Sequence, residues 1–472
     1  LSSFQSQKTV TDADGNILAA PDENFARELM QLFSIGLLEL HPNGMLKLGQ
    51  NGQPLETHTQ TDVTELARVM TGWGRSVKSL DATVFDSGTE ENDDFLEPLS
   101  ANYWDIDTPD HWTPMKQFSA YHDESEKSVL GHLFPAGVDG EAELEQVAVM
   151  LADHPNSGPF IARRMIQRLT TSNPSAGYVY RVNQAYLEAD QELGAMVRAI
   201  LLDPEVRNPS TASLPGSGRI KEPLLQAVNL CRIMHCGHNM EGSYALANLT
   251  THGLPAGELD LYDPDAKRQF ISYYGLNWID TIQQAPFSAP SVFNWFNSDF
   301  SPIGPMAKAG LKAPELEHLS NSTIVSYHNL IYNMANSQWD VTTTKPHFST
   351  GRAIMGVTLP PDMIAAYTAV MDTNGDGEIS ADDDAFTSGA KIHEATAAVV
   401  DLADDYFCQG WLKANATGDP ETDPREIIIT GLQDMRQSWD NNTTFLAGYA
   451  RNSRVRESIM ITLMAPTCTV QK

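Results

Sequence analysis

The run DTNGDGEISADD, Asp372 to Asp383, offers the clearest chemistry in the chain. A hard divalent cation needs several oxygens converging on it, and Asp372, Asn374 and Asp376 supply them at loop positions one, three and five. Gly377 at position six permits a sharp turn, the Glu378 carbonyl serves position seven, and Ile379 gives an apolar anchor at position eight. Asp383 stands at position twelve, where a longer Glu is usual, so it reaches an ion through one oxygen or through water. The pattern predicts bound Ca2+, and the plainer alternative is a solvated acidic turn. A single loop without a paired copy is expected to staple a fold rather than switch it.

A second set of ionisable residues is spread along the chain: Arg27 and Glu28, then His122, Asp123 and Lys127, then His154, then Arg163 and Arg164. An acid beside a histidine sets its tautomer and raises its basicity, and a nearby cation holds an anionic group. Glu28, His122 and Asp123, with Arg27 or Arg163 as an anion clamp, are therefore candidates for a hydrolytic or metal-assisted site. The competing reading makes Arg27 and Glu28 tie their helix to its neighbours by buried ion pairs, with His122 and Asp123 capping the next helix. Nucleophile elbows, H-E-x-x-H and phosphate-binding loops are missing from the sequence. His235, Cys236 and His238 in MHCGHN suggest soft-metal binding only weakly.

These residues need elements to hold them. In PDENFARELMQLFSIGLL, Pro21 to Leu38, Asp22 is placed to cap a helix and Glu23 puts charge in its first turn. Phe25, Leu29, Leu32 and Phe33 form an apolar stripe expected to be buried, and Gly36 suits the helix end. The Asp-Gly of TDADGNILAA predicts a small hairpin, and Asn43-Gly44 and Asn51-Gly52 punctuate a turn-rich connection. Asp62 with Glu65 reads as a capping box for a helix running to Val69. Helices are expected at 141–152, 158–170, 176–188, 193–202, 223–235, 326–336, 361–371, 391–409, 425–439 and 444–465. From 76 to 115 periodicity is lost, and Tyr103, Trp104 and Trp112 mark a long acidic and aromatic insertion suited to a contact surface. The fold class is mainly α: a large irregular helical bundle with small β hairpins and long loops. A main domain over 1–320 and a C-terminal lobe over 321–472 containing the acidic loop are expected.

PDENFARELMQLFSIGL resembles the signature helix of the large, mostly secreted bacterial family called domain of unknown function 1800. TDVTELARVMTGW, FSAYHDESEKSVLG, HPNSGPFIARRMIQRLTTSNPS, RIKEPLLQ and RESIMITLMAPTCTVQK carry the same resemblance in order. The resemblance implies export, and a heteromeric partner such as the sulfatase-like protein encoded beside family members. LSSFQSQKT at the start resembles the middle of the family's domain, so an upstream block of helices is expected to be cut away, supplied by another chain or absent from the sequence. Such a block, or self-association, would cover apolar surface that its loss exposes. The acidic loop in turn resembles a dockerin-type or other extracellular EF-hand-like calcium loop more than an intracellular sensor.

Acidic residues outnumber basic ones 61 to 31, a formal charge of -30, which disfavours nucleic acid and anionic membranes and favours cations and solubility. The four cysteines, Cys231, Cys236, Cys408 and Cys468, fit no zinc spacing. Pairing Cys231 with Cys236 and Cys408 with Cys468 is one arrangement, and free buried thiols are the other. Two functions follow from these observations. One is an exported, calcium-binding helical protein with a structural or assembly role at the cell surface, in the periplasm or in an extracellular complex. The other is a hydrolase or metal-assisted enzyme.

Overall fold

A computed structural model describes residues 6–74, 115–212, 214, 216–233, 282–284, 288–336, 359–379, 383, 388–434 and 444–471. All but the last residue of the 76–115 insertion, and His235, Cys236 and His238, lie outside the described residues, as does the pairing of Cys231 with Cys236. The chain divides into two compact units, Leu1–Pro215 and Gly216–Lys472. The boundary expected at 320/321 falls inside the second. Both units are mainly helical, and their strands form small two-stranded pairs.

The first unit opens with a hairpin of β1 (Val10–Thr11) and β2 (Ile17–Ala19), turned at Gly15. Helix α1 (Glu23–Gln31) follows, and its Asp22 cap accepts from Asn24 N. The buried face of α1 is Ala26 and Met30, flanked by the partly buried Phe25 and Leu29. Phe33, expected in the stripe, is 59% exposed. The reason is that the helix stops one turn early: Gly36, at φ +74°, donates back to Met30 O and puts Phe33 beyond the last helical residue.

Helix α2 (Gln60–Val69) begins three residues earlier than Asp62 suggested. Thr59 is its cap, and Asp62, the third helical residue, is the partner whose carboxylate accepts from Thr59 N at 2.8 Å. Beyond it β3 (Trp73–Gly74) pairs with β4 (Lys116–Gln117), and β5 (Lys127–Val129) pairs with β6 (His132–Phe134). Helix α3 (Gly140–Ala152) completes a core of Ile35, Leu66, Phe134 and Val147. Helices α4 (Ser157–Leu169), α5 (Ala176–Glu188) and α6 (Leu193–Leu202) enclose a neighbouring core around Ile166, Tyr178 and Ile200.

Between α1 and α2 lies an arrangement the turn signals only hinted at. Leu38, Leu46 and Pro54, like the two Asn-Gly turns, recur at intervals of eight residues. Lys47 N donates to Glu39 O at 2.8 Å, Leu55 N to Lys47 O at 3.0 Å, and Glu39 N to Leu55 O at 2.8 Å. Each of the three short segments thus bonds both others, and the small triangle has no open edge at that level.

In the second unit β7 (Arg219–Ile220) pairs with the chain's last strand, β8 (Val470–Gln471). Helices α7 (Pro223–Ile233), α8 (Asn321–Asn336), α9 (Pro361–Met371), α10 (Gly389–Phe407), α11 (Pro424–Asp434) and α12 (Thr444–Met464) supply the bulk. α10 packs on α9, α11 and α12 around Val399, Phe407, Ile429 and Ile459. Cys408 and Cys468 form a disulfide that ties the end of α10 to the segment before β8. Among the described residues no helix is long and apolar enough to cross a membrane.

Candidate functional site

The predicted catalytic residues separate into sealed and open groups. His122, Lys127 and Glu143 are at most 1% exposed. Lys127 Nζ lies 2.9 Å from Glu143 Oε1 and His122 Nε2 lies 3.3 Å from Glu143 Oε2. These are ion-pair contacts rather than well-directed hydrogen bonds, since both carboxylate oxygens lack an aligned donor. His122 Nδ1 faces the Thr71 carbonyl at 3.0 Å, and a carbonyl only accepts, so this nitrogen carries a proton. Lys127 also donates to the Asp123 carbonyl. The trio therefore joins β5 and α3 to the turn after α2, where no solvent reaches it.

Asp123 is occupied as well. Arg68 Nε donates to its Oδ2 at 2.8 Å, while Arg68 Nη1 meets both oxygens of Glu65 at 2.8 Å. Burial pushes the Asp123 carboxyl up, but hydrogen bonds from Arg68 and Ser125 and the guanidinium charge outweigh it and hold the group at about 2. His122 and Asp123 do not cap the next helix: Asp139 caps α3, His122 ends the short 3-10 turn Ser119–Tyr121, and Asp123 closes a tight turn by accepting from Ser125 N.

Arg27 pairs with Glu23 on its own helix at 3.1 Å, about one-third exposed on either side, and also donates to Gln60. The pair is a surface one, not the buried tie expected of it. Glu28 differs from its neighbours: Oε2 is buried without a partner, and burial raises the carboxyl while Arg27 opposes the rise. Arg164 stacks over Phe160 at 5.3 Å, and Arg163 lies on the same helix, α4. None of this draws Arg163 to His122 or Asp123.

Three further residues, Asn156, His58 and Glu143, were not read from the sequence. Asn156, 2% exposed, accepts from Leu40 N and donates to Ile35 O and Leu38 O, pinning the turn after α1 to the start of α4. His154 and His58 flank that turn. Burial lowers His154 most, Glu39 raises it, and Lys47 and His58 lower it. Burial likewise dominates the lowering of His58, against Asp62 and Glu56 and with Arg27. Glu143 did leave a signal, because Glu143, Val147 and Leu151 share one helix face, placing an acid in the apolar register.

The acidic loop lies between α9 and α10. Asp372 accepts from Gly375 N at 2.6 Å and Gly377 N at 2.8 Å, and Asn374 accepts from Asp376 N at 2.9 Å. Asp376 accepts from Glu378 N at 2.8 Å. Asp383, 4% exposed, reaches back to the amides of Thr373 at 2.7 Å and Asn374 at 3.2 Å. Gly377 takes φ +88°, and Ile379 is buried in the unit's core. The order of residue types fits a calcium loop, while the carboxylates turn onto the loop's own amides. Among the described residues no three of His, Cys, Asp and Glu are gathered as a ligand set.

A family model described as protein of unknown function (DUF1800) matches residues 11–417. No curated protein and no solved structure matches the chain significantly.

Proposed function

The chain belongs to the DUF1800 family, and from that premise we propose an exported, calcium-binding helical protein with a structural or assembly role at the cell surface or in an extracellular complex. The observation that carries the reading is the burial of His122 and the pairing of the partly buried Asp123 with Arg68. Groups that would have to meet a substrate are spent on Glu143, Lys127 and Arg68 inside the first unit. Charge at these positions is thus used for architecture, and the hydrolase reading loses two of its candidates.

Two observations support the rest. A buried disulfide between Cys408 and Cys468 suits an oxidising compartment, hence export to the periplasm, surface or medium. For calcium, Asp372, Asn374, Asp376, Glu378 and Asp383 stand in the required order, and Asp383 already closes on the loop's second and third positions. A cation would recruit those carboxylates from the amides they now hold, and would act as a staple between α9 and α10.

An assembly role requires assembly. Sedimentation of the native material is expected to show self-association or a heteromeric partner, a sulfatase-like neighbour being the first to test. A monomer at all concentrations, with no partner retained on purification, contradicts this reading.

A further inference from the structure

Helix α6 turns Met196 and Ile200 into the core of the first unit and leaves its leucines outside. Leu193, Leu201 and Leu202 are 55%, 46% and 57% exposed, and Leu187, near the end of α5, is 49% exposed. Apolar surface of this kind marks contact with another protein rather than with water. The same helix borders an open groove of about 400 Å3, lined by Ala185 of α5, by Ala195, Ala199 and Leu202 of α6, and by Glu192 and Arg198. The alanines leave room for a second helix to approach closely.

The two charged residues say which helix. Glu192 immediately precedes α6 without capping it, and among the described residues neither its side chain nor that of Arg198 has a hydrogen bond or an ion pair. Opposite charges thus face one groove, each without its complement. Their places in the chain are symmetric, since Glu192 stands three residues before Ala195 and Arg198 three residues after it.

We propose that the groove is closed by α6 of a second copy of this chain, running antiparallel about a two-fold axis at Ala195. The inference rests on the assembly role proposed above and names the partner. A two-fold interface has to be its own complement, with residue i meeting j and j meeting i. An axis at Ala195 does this: Glu192 of each copy lies beside Arg198 of the other, and Leu202 of each lies beside the end of the other's α5, where Leu187 is exposed. A different partner would have to carry the same two charges in reverse order at the same spacing, which the chain already supplies. The patch has one charge of each sign, on a molecule whose formal charge of -30 otherwise drives copies apart.

The test is sedimentation equilibrium of the full chain beside Glu192→Arg, Arg198→Glu and the double variant with both changes. The natural chain is expected to dimerise. Each single variant sets like charges opposite one another at both ends of the interface, and is expected to weaken the dimer about tenfold or more. The double variant restores opposite charges and should regain the natural affinity, which also shows that neither change prevents folding. Mixed together, the two single variants are expected to pair with each other, one bringing two positive groups to the patch and the other two negative. Dimers that withstand both single variants, or a double variant that stays weak, overturn the proposal and leave the assembly role standing. So does association with a heteromeric partner alone. A chain that remains monomeric with no partner retained overturns both.

Discussion

Glu143 makes the plainest case for what single residues do here. It is the one carboxylate facing both His122 and Lys127 in a space closed to water, so removing its charge strands two buried basic groups. Glu143→Gln is expected to cost about 3–5 kcal/mol of unfolding free energy, measured by urea denaturation. An effect within a few tenths of a kcal/mol would mean that the trio is not the tie described. Asp123 gives a pH signature. Its folded value of about 2 lies below the 3.8 of an unperturbed Asp, so its stabilisation is full above the higher value and is lost as pH falls toward the lower. That window should contain about 2 kcal/mol of acid destabilisation, absent in Asp123→Asn. A difference between the two proteins that persists unchanged at pH 2 would contradict it.

At the scale of elements, Asn156 decides how α4 meets the turn after α1. Asn156→Ala leaves Leu40 N and two carbonyls without their partner, and is expected to cost about 2–4 kcal/mol and to speed hydrogen exchange at the Leu40 amide. Unchanged exchange there would count against the pinning. Helices were largely legible in the sequence. The ranges read for α5, α6 and α9 coincide with the structure, because periodic apolar faces and caps such as Ser175 are local signals. Phe33 shows where local reading stops: a stripe does not reveal that Gly36 ends the helix before it. The eight-residue recurrence that closes the triangle was visible as two Asn-Gly turns, but its closure depends on three backbone bonds across strands. For the site, His122 and Asp123 were singled out as neighbouring ionisable residues, which they are by sequence alone. Their engagement depends on Glu143 and Arg68, partners whose distance in the chain no spacing rule encodes.

At the scale of the whole molecule, a formal charge of -30 opposes compaction, and cations that bind the folded form offset it. The disulfide and the proposed calcium staple both fall in the second unit, at opposite ends of α10. One measurement bears on that most directly: thermal unfolding of the full chain in EDTA and in rising Ca2+, beside the double variant Asp372→Ala, Asp376→Ala. Calcium at a hundred times its dissociation constant is expected to stabilise the natural chain by about 2.7 kcal/mol and to leave the variant unmoved. Equal curves for the natural chain with and without Ca2+, or an equal rise in the variant, would contradict the account.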